Sequence, residues 1–391
     1  MAKVERMLNK LLLQVAKEQN FINFDLKIKP VSSGGANFSS TLFNVSITEG
    51  DKVVHLFVKV AAAGEQLRTQ GGSKVYETEI FAYTKLAEVY KGLEEEHQVP
   101  EEHRLKFAKF YGCNPTVFEE TLVLEDLVEA GYVAFDRFKC FDLKYATSAL
   151  TELAKMHALS LAYGVYHPGA YIEVIDYVNK RNWVVQAGSS LVGYLETVFA
   201  TALKNAREET KDKLQRFLEK FDKAAYGDFY RTSGPPVLGH GDFRPSNLMH
   251  KVCDDGTVDI KVVDMQTLYG GSPVIDFLYF IFTGSDEQLR EQHFETLQDH
   301  YYTQLCVSMK RLGLDPDKVY SRENFQSELK EKLVFGLVHS TLILPILLAN
   351  DTPEVNEELT LSAMAEIKAT DLCIERLNGV INDYVKWGIL K

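Results

Sequence analysis

"HGDFRPSNLMH", His240 to His250, with "DIKVVDMQ", Asp259 to Gln266, close behind it, decides how this chain is read. The first stretch sets His240, Asp242 and Asn247 in one short window. Asp and Asn five apart, with Arg244 and Pro245 between them, make a poor helix and a poor strand. A polar loop is expected, entered from the apolar "PPVLG" and left through a turn-rich "KVCDDGTVD". In the second stretch Asp264 closes an apolar, strand-like run 17 positions after Asn247. Each Asp alone could be a turn residue. Together, in this order, they are what phosphoryl transfer to a hydroxyl needs. One Asp accepts the proton of the attacking hydroxyl, and an Asn oxygen and a second Asp hold Mg²⁺ against the phosphates.

Three upstream pieces bear on that reading. "SSGGANFSS", Ser32 to Ser40, lies between two expected strands, and Gly34 and Gly35 would let the backbone approach a phosphate closely. Alone it is also an ordinary hairpin loop. It is not a P-loop, which needs Gly-Lys-Ser/Thr opening a helix. Lys59 sits inside the apolar strand "HLFVKVA". It is either an edge-strand guard or an inward cation for the α- and β-phosphates. In "SKVYETEIFAY" helical spacing puts Val75, Glu79, Ala82, Leu86 and Val89 on one face, with Glu77 off it. A carboxylate on an apolar stripe is costly unless paired, and Lys59 is the candidate partner.

Around these pieces the chain changes character. Strand-like runs cover Leu26–Val31, Thr41–Ile47 and Val53–Val60, with "EGDK" (Glu49–Lys52) as a hairpin turn. A helix is expected over roughly Ser73 to Tyr90, then a solvated acidic loop, Glu94–His103, and two more strands up to "VFEETLVLEDL". Beyond Leu127 helical periodicity dominates, interrupted by the polar loop and a hairpin around "DDGT". The layout is α+β: a small β-rich lobe, residues 1–127, and a large helical lobe, residues 128–391. The 391 residues suffice for two or three domains, and 46% hydrophobic with 25% charged is an ordinary globular balance.

A net charge of −12 argues against bulk binding of nucleic acid or of an anionic membrane. Five scattered cysteines without a CxxC pair indicate neither a zinc site nor a disulfide framework, and suit a reducing cytoplasm. The N-terminal stretch mixes Lys, Glu and Arg at helical spacing and lacks the apolar run of a secretory signal. "LVFGLVHSTLILPILLA", Leu333–Ala349, is long enough to test for a membrane span, but its His, Ser, Thr and Pro read better as a buried core helix.

The motifs "GANFSS", "FVK", "EIFAY", "VLEDL", "HGDFRPSN", "DMQ" and "DFLYFI", in this order from Gly35 to Phe282, resemble those of the ecdysteroid kinase-like family. That family lies within the protein-kinase-like superfamily of choline and aminoglycoside kinases. The resemblance implies a two-lobed protein kinase-like fold and a reaction of ATP with a small-molecule alcohol. It further implies that Asp242 is the catalytic base and that Asn247 and Asp264 hold Mg²⁺. Lys59, braced by Glu79, would bind phosphate, and Gly35, Asn37 and Ser40 would line the triphosphate. The segment from Glu125 to Leu127 would present backbone N–H and C=O groups to adenine. Asp276 would brace the catalytic loop through backbone N–H groups, whereas His240 and His157 would be structural.

Three positions depart from the family pattern: Arg244 stands for Trp, Met265 for Phe, and Phe277 for Leu after Asp276. None removes a proton acceptor or a metal ligand, so the acceptor side is where this chain is expected to differ. The family points to an ecdysteroid or a xenobiotic alcohol or phenol as acceptor. The alternatives are a choline- or aminoglycoside-type acceptor, or a non-catalytic binder on the same fold. A protein kinase is disfavoured because "LYGGSPVIDFLY" runs almost at once into the next helix, leaving no platform for a peptide.

Overall fold

The computed structural model describes residues 2–31, 40–62, 74–186, 188–350 and 364–391. Its N-terminal part is a five-stranded antiparallel sheet of β1 (Asp25–Val31), β2 (Ser40–Glu49), β3 (Lys52–Ala61), β4 (Phe110–Asn114) and β5 (Thr121–Glu125). Their order in the sheet is β1-β2-β3-β5-β4. The expected hairpin is present: Glu49 lies opposite Lys52, and Gly50 takes φ +58° in the two-residue connection. A positive φ there costs glycine nothing.

Alternation along β3 sorts the two faces of the sheet. Leu56, Val58 and Val60 are buried in a small core with Leu8, Leu12 and Val15 of the first helix, α1 (Ala2–Glu18). Phe57 and Lys59 therefore point to the opposite face, toward the rest of the molecule. There lies α2, which runs from Val75–Phe81 through a π-helical turn, Ala82–Leu86, into Ala87–Glu96. It is longer than the sequence suggests. The acidic stretch expected to be a solvated loop is also different. Glu94 lies buried in the last turn of this helix, its carboxylate accepting the Leu105 N–H at 2.8 Å. Run-length charge counting missed this because one Glu of the three turns inward to cap the following chain.

The helical part is built on α3 (Leu143–Tyr166), opened by Asp142, whose side chain accepts the Tyr145 N–H. It continues with α4 (Pro168–Asn179), α5 (Val192–Asn205) and α6 (Glu208–Lys220). The last five long helices are α7 (Val274–Gly284), α8 (Glu287–Arg311), α9 (Arg322–Lys332), α10 (Val334–Leu347) and α11 (Asp371–Lys386). Every residue of α7 is buried, which accounts for its almost unbroken apolar sequence. The long apolar stretch near residue 340 is α10, packed inside the same core as α7. No helix of the described residues is long and apolar enough to cross a membrane. Between α6 and α7 two small antiparallel pairs, β6 (Val237–Gly239) with β9 (Tyr269–Gly271) and β7 (Leu248–Val252) with β8 (Val258–Val262), frame the polar loop.

Candidate active site

The loop between β6 and β7 is held from three sides. Asp276, fully buried in the first turn of α7, accepts the His240 N–H at 2.6 Å and the Gly241 N–H at 2.8 Å. Its carboxylate also meets His157 Nε2 at 3.2 Å, and His157 Nδ1 meets the Tyr301 hydroxyl at 2.7 Å. His240 Nε2 donates to the Val263 carbonyl at 2.9 Å while its Nδ1 accepts the Asp242 N–H at 3.2 Å. His240 thus holds backbone in place, while His157 holds the Asp276 carboxylate that braces the loop. Gly241 has φ +78°, and a Cβ there would sit 2.1 Å from the Thr267 carbonyl oxygen. Only glycine lets the loop pass at that point.

This bracing presents Asp242 at the loop's crest, its side chain 21% exposed. One carboxylate oxygen accepts the Tyr279 hydroxyl at 2.5 Å. The other accepts Asn247 Nδ2 at 2.9 Å and Arg244 Nε at 3.1 Å. Asn247 Nδ2 also donates to the Asp242 carbonyl at 3.0 Å, so the amide oxygen is the atom left over for a ligand. The β7–β8 hairpin then returns Asp264 to the same place: the Val263 N–H donates to the Asn247 carbonyl at 3.0 Å. Asp264 itself adopts φ +66°, ψ +57°. A non-glycine residue in that region is strained, and such strain concentrates at functional sites.

Lys59 reaches Asp264 at 2.5 Å and Glu79 at 3.0 Å, which joins the sheet, α2 and the loop region through one buried cation. Gln266 Nε2 adds a bond to Glu79 at 3.2 Å. Burial alone would lower the Lys59 pKa. The facing carboxylates of Asp264 and Glu79 outweigh it and hold the ammonium well above its ordinary range. Burial opposes the Asp264 charge too, but Lys59 prevails and its carboxyl lies below the usual value. For Glu79 burial prevails and its carboxyl is raised. Glu77, off the stripe, pairs with Arg181 at 3.0 Å instead.

Ser40 opens β2 buried, opposite Ala61. Gly35 and Asn37 lie outside the described residues. In the segment after β5, the Glu125 N–H donates to the Lys109 carbonyl at 2.8 Å and the Asp126 N–H to the His55 carbonyl at 3.2 Å. The Leu127 carbonyl accepts the Tyr132 N–H at 2.9 Å, closing a turn. The Leu127 N–H has no protein partner among the described residues. The Glu125 carboxylate turns to Lys261 at 2.9 Å.

Two cavities meet at this constellation. One, about 970 Å³ counting its open mouth, is bounded by Leu42, Phe57, Lys59, Leu127, Asn247 and Asp264. The other, about 850 Å³ on the same measure, has Asp242, Arg244 and Tyr279 at one end. Its walls are Trp183, Val184, Leu191, Leu342, Ile343 and Ile346. Sequence reasoning missed Tyr279. It lies three positions after Asp276 on α7 and hence on the same helix face, which was the available signal. It also missed His339, buried in the second cavity's wall with its Nδ1 2.7 Å from the Tyr226 hydroxyl. Burial holds that imidazole down to about 3, and hence neutral.

The sequence profile described as "Ecdysteroid kinase-like family" matches residues 34–314. No curated protein matches the chain in sequence. Among solved structures, the chain is similar to an ethanolamine kinase of Plasmodium vivax at 13% identity, over 93% of this chain and 83% of that one, with a TM-score of 0.47. It is similar to the GDP complex of an aminoglycoside 2′-phosphotransferase at 12% identity, over 96% and 97% of the two chains, with a TM-score of 0.48. A glucosamine kinase in complex with glucosamine, ADP and inorganic phosphate aligns at 12% identity over 95% and 81%, with a TM-score of 0.42.

Proposed function

The chain belongs to the ecdysteroid kinase-like family and is a phosphotransferase acting on a hydroxyl group of a small molecule, and we propose that it transfers the γ-phosphate of ATP to a hydrophobic alcohol, an ecdysteroid or a xenobiotic alcohol or phenol. The observation that carries the acceptor class is the second cavity. Its walls are aliphatic and aromatic, and Asp242 stands at its end. A polycationic aminoglycoside or a quaternary ammonium would find one carboxylate there among the described residues, already bonded to Tyr279, Asn247 and Arg244. An apolar body with one hydroxyl at Asp242 suits the lining better.

In this reading residues 1–127 form the nucleotide lobe and residues 128–391 the catalytic and acceptor lobe. Adenine enters the first cavity and accepts the Leu127 N–H, and Lys59, kept in place by Glu79, meets the phosphates. Gly35, Asn37 and Ser40 are assigned to the triphosphate as part of the same proposal. Asp242 orients the acceptor hydroxyl and takes its proton as the new P–O bond forms and the bond to ADP breaks. Tyr279 and Asn247 fix the carboxylate so that little reorganisation is left to the reaction.

The donor set suits Mg²⁺. Asp264 supplies a carboxylate and Asn247 an amide oxygen, both hard ligands, and Mg²⁺ favours one or two carboxylates completed by phosphate oxygens. Among the described residues no group of three or more His, Cys, Asp or Glu converges, so an all-protein cage is not the arrangement on offer. Bound there, the ion would neutralise charge on the transferring phosphoryl group. All five cysteines are free thiols, which suits the proposed cytoplasmic location.

The test is product identification. Purified protein with Mg²⁺ and ATP is offered an ecdysteroid, a plant phenol, choline and an aminoglycoside, and phosphate esters are sought by mass spectrometry. An ester of the sterol or phenol supports the reading. Phosphorylation of choline or the aminoglycoside alone overturns the acceptor class.

A further inference from the structure

His339 stands in the middle of α10, 4% exposed. Phe335, one turn earlier on the same helix face, stacks on its ring at 4.7 Å between centres and 14° between planes. The Tyr279 ring lies 4.1 Å away at 55°, and the Tyr226 hydroxyl meets Nδ1 at 2.7 Å. Nε2 has no hydrogen-bond partner among the described residues. Other buried polar atoms share that condition, but among them only His339 belongs to the wall of the second cavity. With Phe335 on one face, Tyr279 beside it and Nδ1 engaged, the Nε2 edge is the side of the ring left for the cavity.

A buried nitrogen without a partner is costly and rare in native proteins. Burial keeps this imidazole neutral, so one ring nitrogen carries the proton and the other a lone pair. If Tyr226 donates to Nδ1, Nε2 is a donor; if Nδ1 donates to Tyr226, Nε2 is an acceptor. A hydroxyl pairs with Nε2 in either case, because it both donates and accepts. A carbonyl serves only the first tautomer. An ammonium serves only the second, and would share the cavity with the Arg244 cation.

Tyr279 sets where such a hydroxyl must lie. Its own hydroxyl donates to Asp242 at 2.5 Å while its ring packs on His339. One tyrosine side chain therefore spans from Asp242 to His339. An acceptor whose reacting hydroxyl sits at Asp242 reaches Nε2 with a group a ring's width or somewhat more along its frame.

We propose that His339 is a specificity-determining residue whose Nε2 binds a second hydroxyl of the acceptor, so that the cavity selects diols with well-separated hydroxyls on an apolar frame over mono-alcohols. The inference rests on the reading of this cavity as the acceptor site.

The test uses two pairs of probes, each differing by one hydroxyl: naphthalene-2,6-diol with 2-naphthol, and naphthalene-1,5-diol with 1-naphthol, under reducing conditions. Binding is measured by titration calorimetry, which needs no turnover, and kcat/KM is measured alongside. Wild type should bind at least one diol about tenfold more tightly than its parent, the worth of one hydrogen bond to a buried group. A symmetric diol gains only about twofold from having two equivalent hydroxyls. His339→Phe suits the aromatic neighbours and should bring diol and parent within that twofold, with the parent bound as in wild type. Tyr226→Phe removes the Nδ1 partner but leaves Nε2, and should keep the preference. A merely structural role for the His339–Tyr226 pair would weaken diol and parent together in both variants. No preference in wild type for either diol, a preference unchanged in His339→Phe, or binding of none of the probes overturns the inference. A binding preference with no phosphate ester formed keeps the inference and removes the kinase reading, while turnover without preference does the reverse.

Discussion

Asp276→Asn isolates the bracing of the catalytic loop from the chemistry, because Asp276 reaches the loop only through backbone N–H groups. One carboxylate oxygen takes the His240 N–H at 2.6 Å and His157 Nε2 at 3.2 Å, and the other takes the Gly241 N–H at 2.8 Å. An amide has one acceptor oxygen, so whichever way it turns, one backbone N–H faces an NH₂ group in a fully buried site. Losing a hydrogen bond to a charged group costs about 1.5–3 kcal/mol, and the orphaned donor adds to that, so a loss of about 3 kcal/mol is expected. If the distortion reaches Asp242, two residues on, each 1.36 kcal/mol of lost positioning is tenfold in rate, and kcat should fall by about 100-fold. KM for ATP should change little, since the cavity proposed for the nucleotide is bounded by Lys59, Leu127 and Asp264. The assays are urea unfolding and steady-state kinetics on the acceptor that wild type phosphorylates. A kcat within threefold of wild type, with an unchanged unfolding midpoint, would refute the bracing argument.

Leu127→Pro removes a backbone N–H that bonds no protein group among the described residues, and should raise KM for ATP about tenfold while kcat is kept, as expected for one lost hydrogen bond. Lys59→Met leaves the Glu79 and Asp264 carboxylates buried without their shared cation. It should lower the unfolding free energy by about 3 kcal/mol, and adding Glu79→Leu should recover part of that, as urea titrations of both variants can show. Glu94 gives a pH signature. Burial pushes its carboxyl up to about 7 from an ordinary 4.5, against the opposing Leu105 N–H. The folded state therefore holds a proton between pH 4.5 and 7 that the unfolded chain releases, and this contribution to stability is lost as pH rises through 7. Glu94→Gln should raise the thermal midpoint more at pH 8 than at pH 5, and an equal shift at both would contradict the burial argument.

The sheet was legible because β2 and β3 alternate cleanly and the Gly50 turn joins them. The Lys59–Glu79 pair was legible because a charge on an apolar strand and a charge on an apolar helix face each needed a partner. The loop from His240 to Asn247 was legible from residue type and spacing alone. The second cavity was not. Its walls come from Trp183, Leu191, Tyr226, Tyr279 and Leu342, which no local periodicity connects, and their aromatic clusters read equally well as core. One partner of Asp242 was hidden for a related reason: Tyr279 sits on a helix whose every residue is buried, so its apolar pattern gives no preferred face. The engagement of the Leu127 carbonyl follows from a turn closed by Tyr132, five residues on, in a segment without a Gly or Pro marker before Gly131.

The central claim is that Asp242 takes a proton from an acceptor hydroxyl while the nucleotide is held by other residues. The most direct measurement is acceptor-dependent ADP release by wild type and Asp242→Asn, with ATP binding followed by thermal shift on both. The account predicts loss of turnover by at least about 1,000-fold, within the range assigned to acid–base catalysis and positioning together, with the ATP-induced shift retained. Near-wild-type turnover in Asp242→Asn, or loss of ATP binding along with turnover, would contradict it.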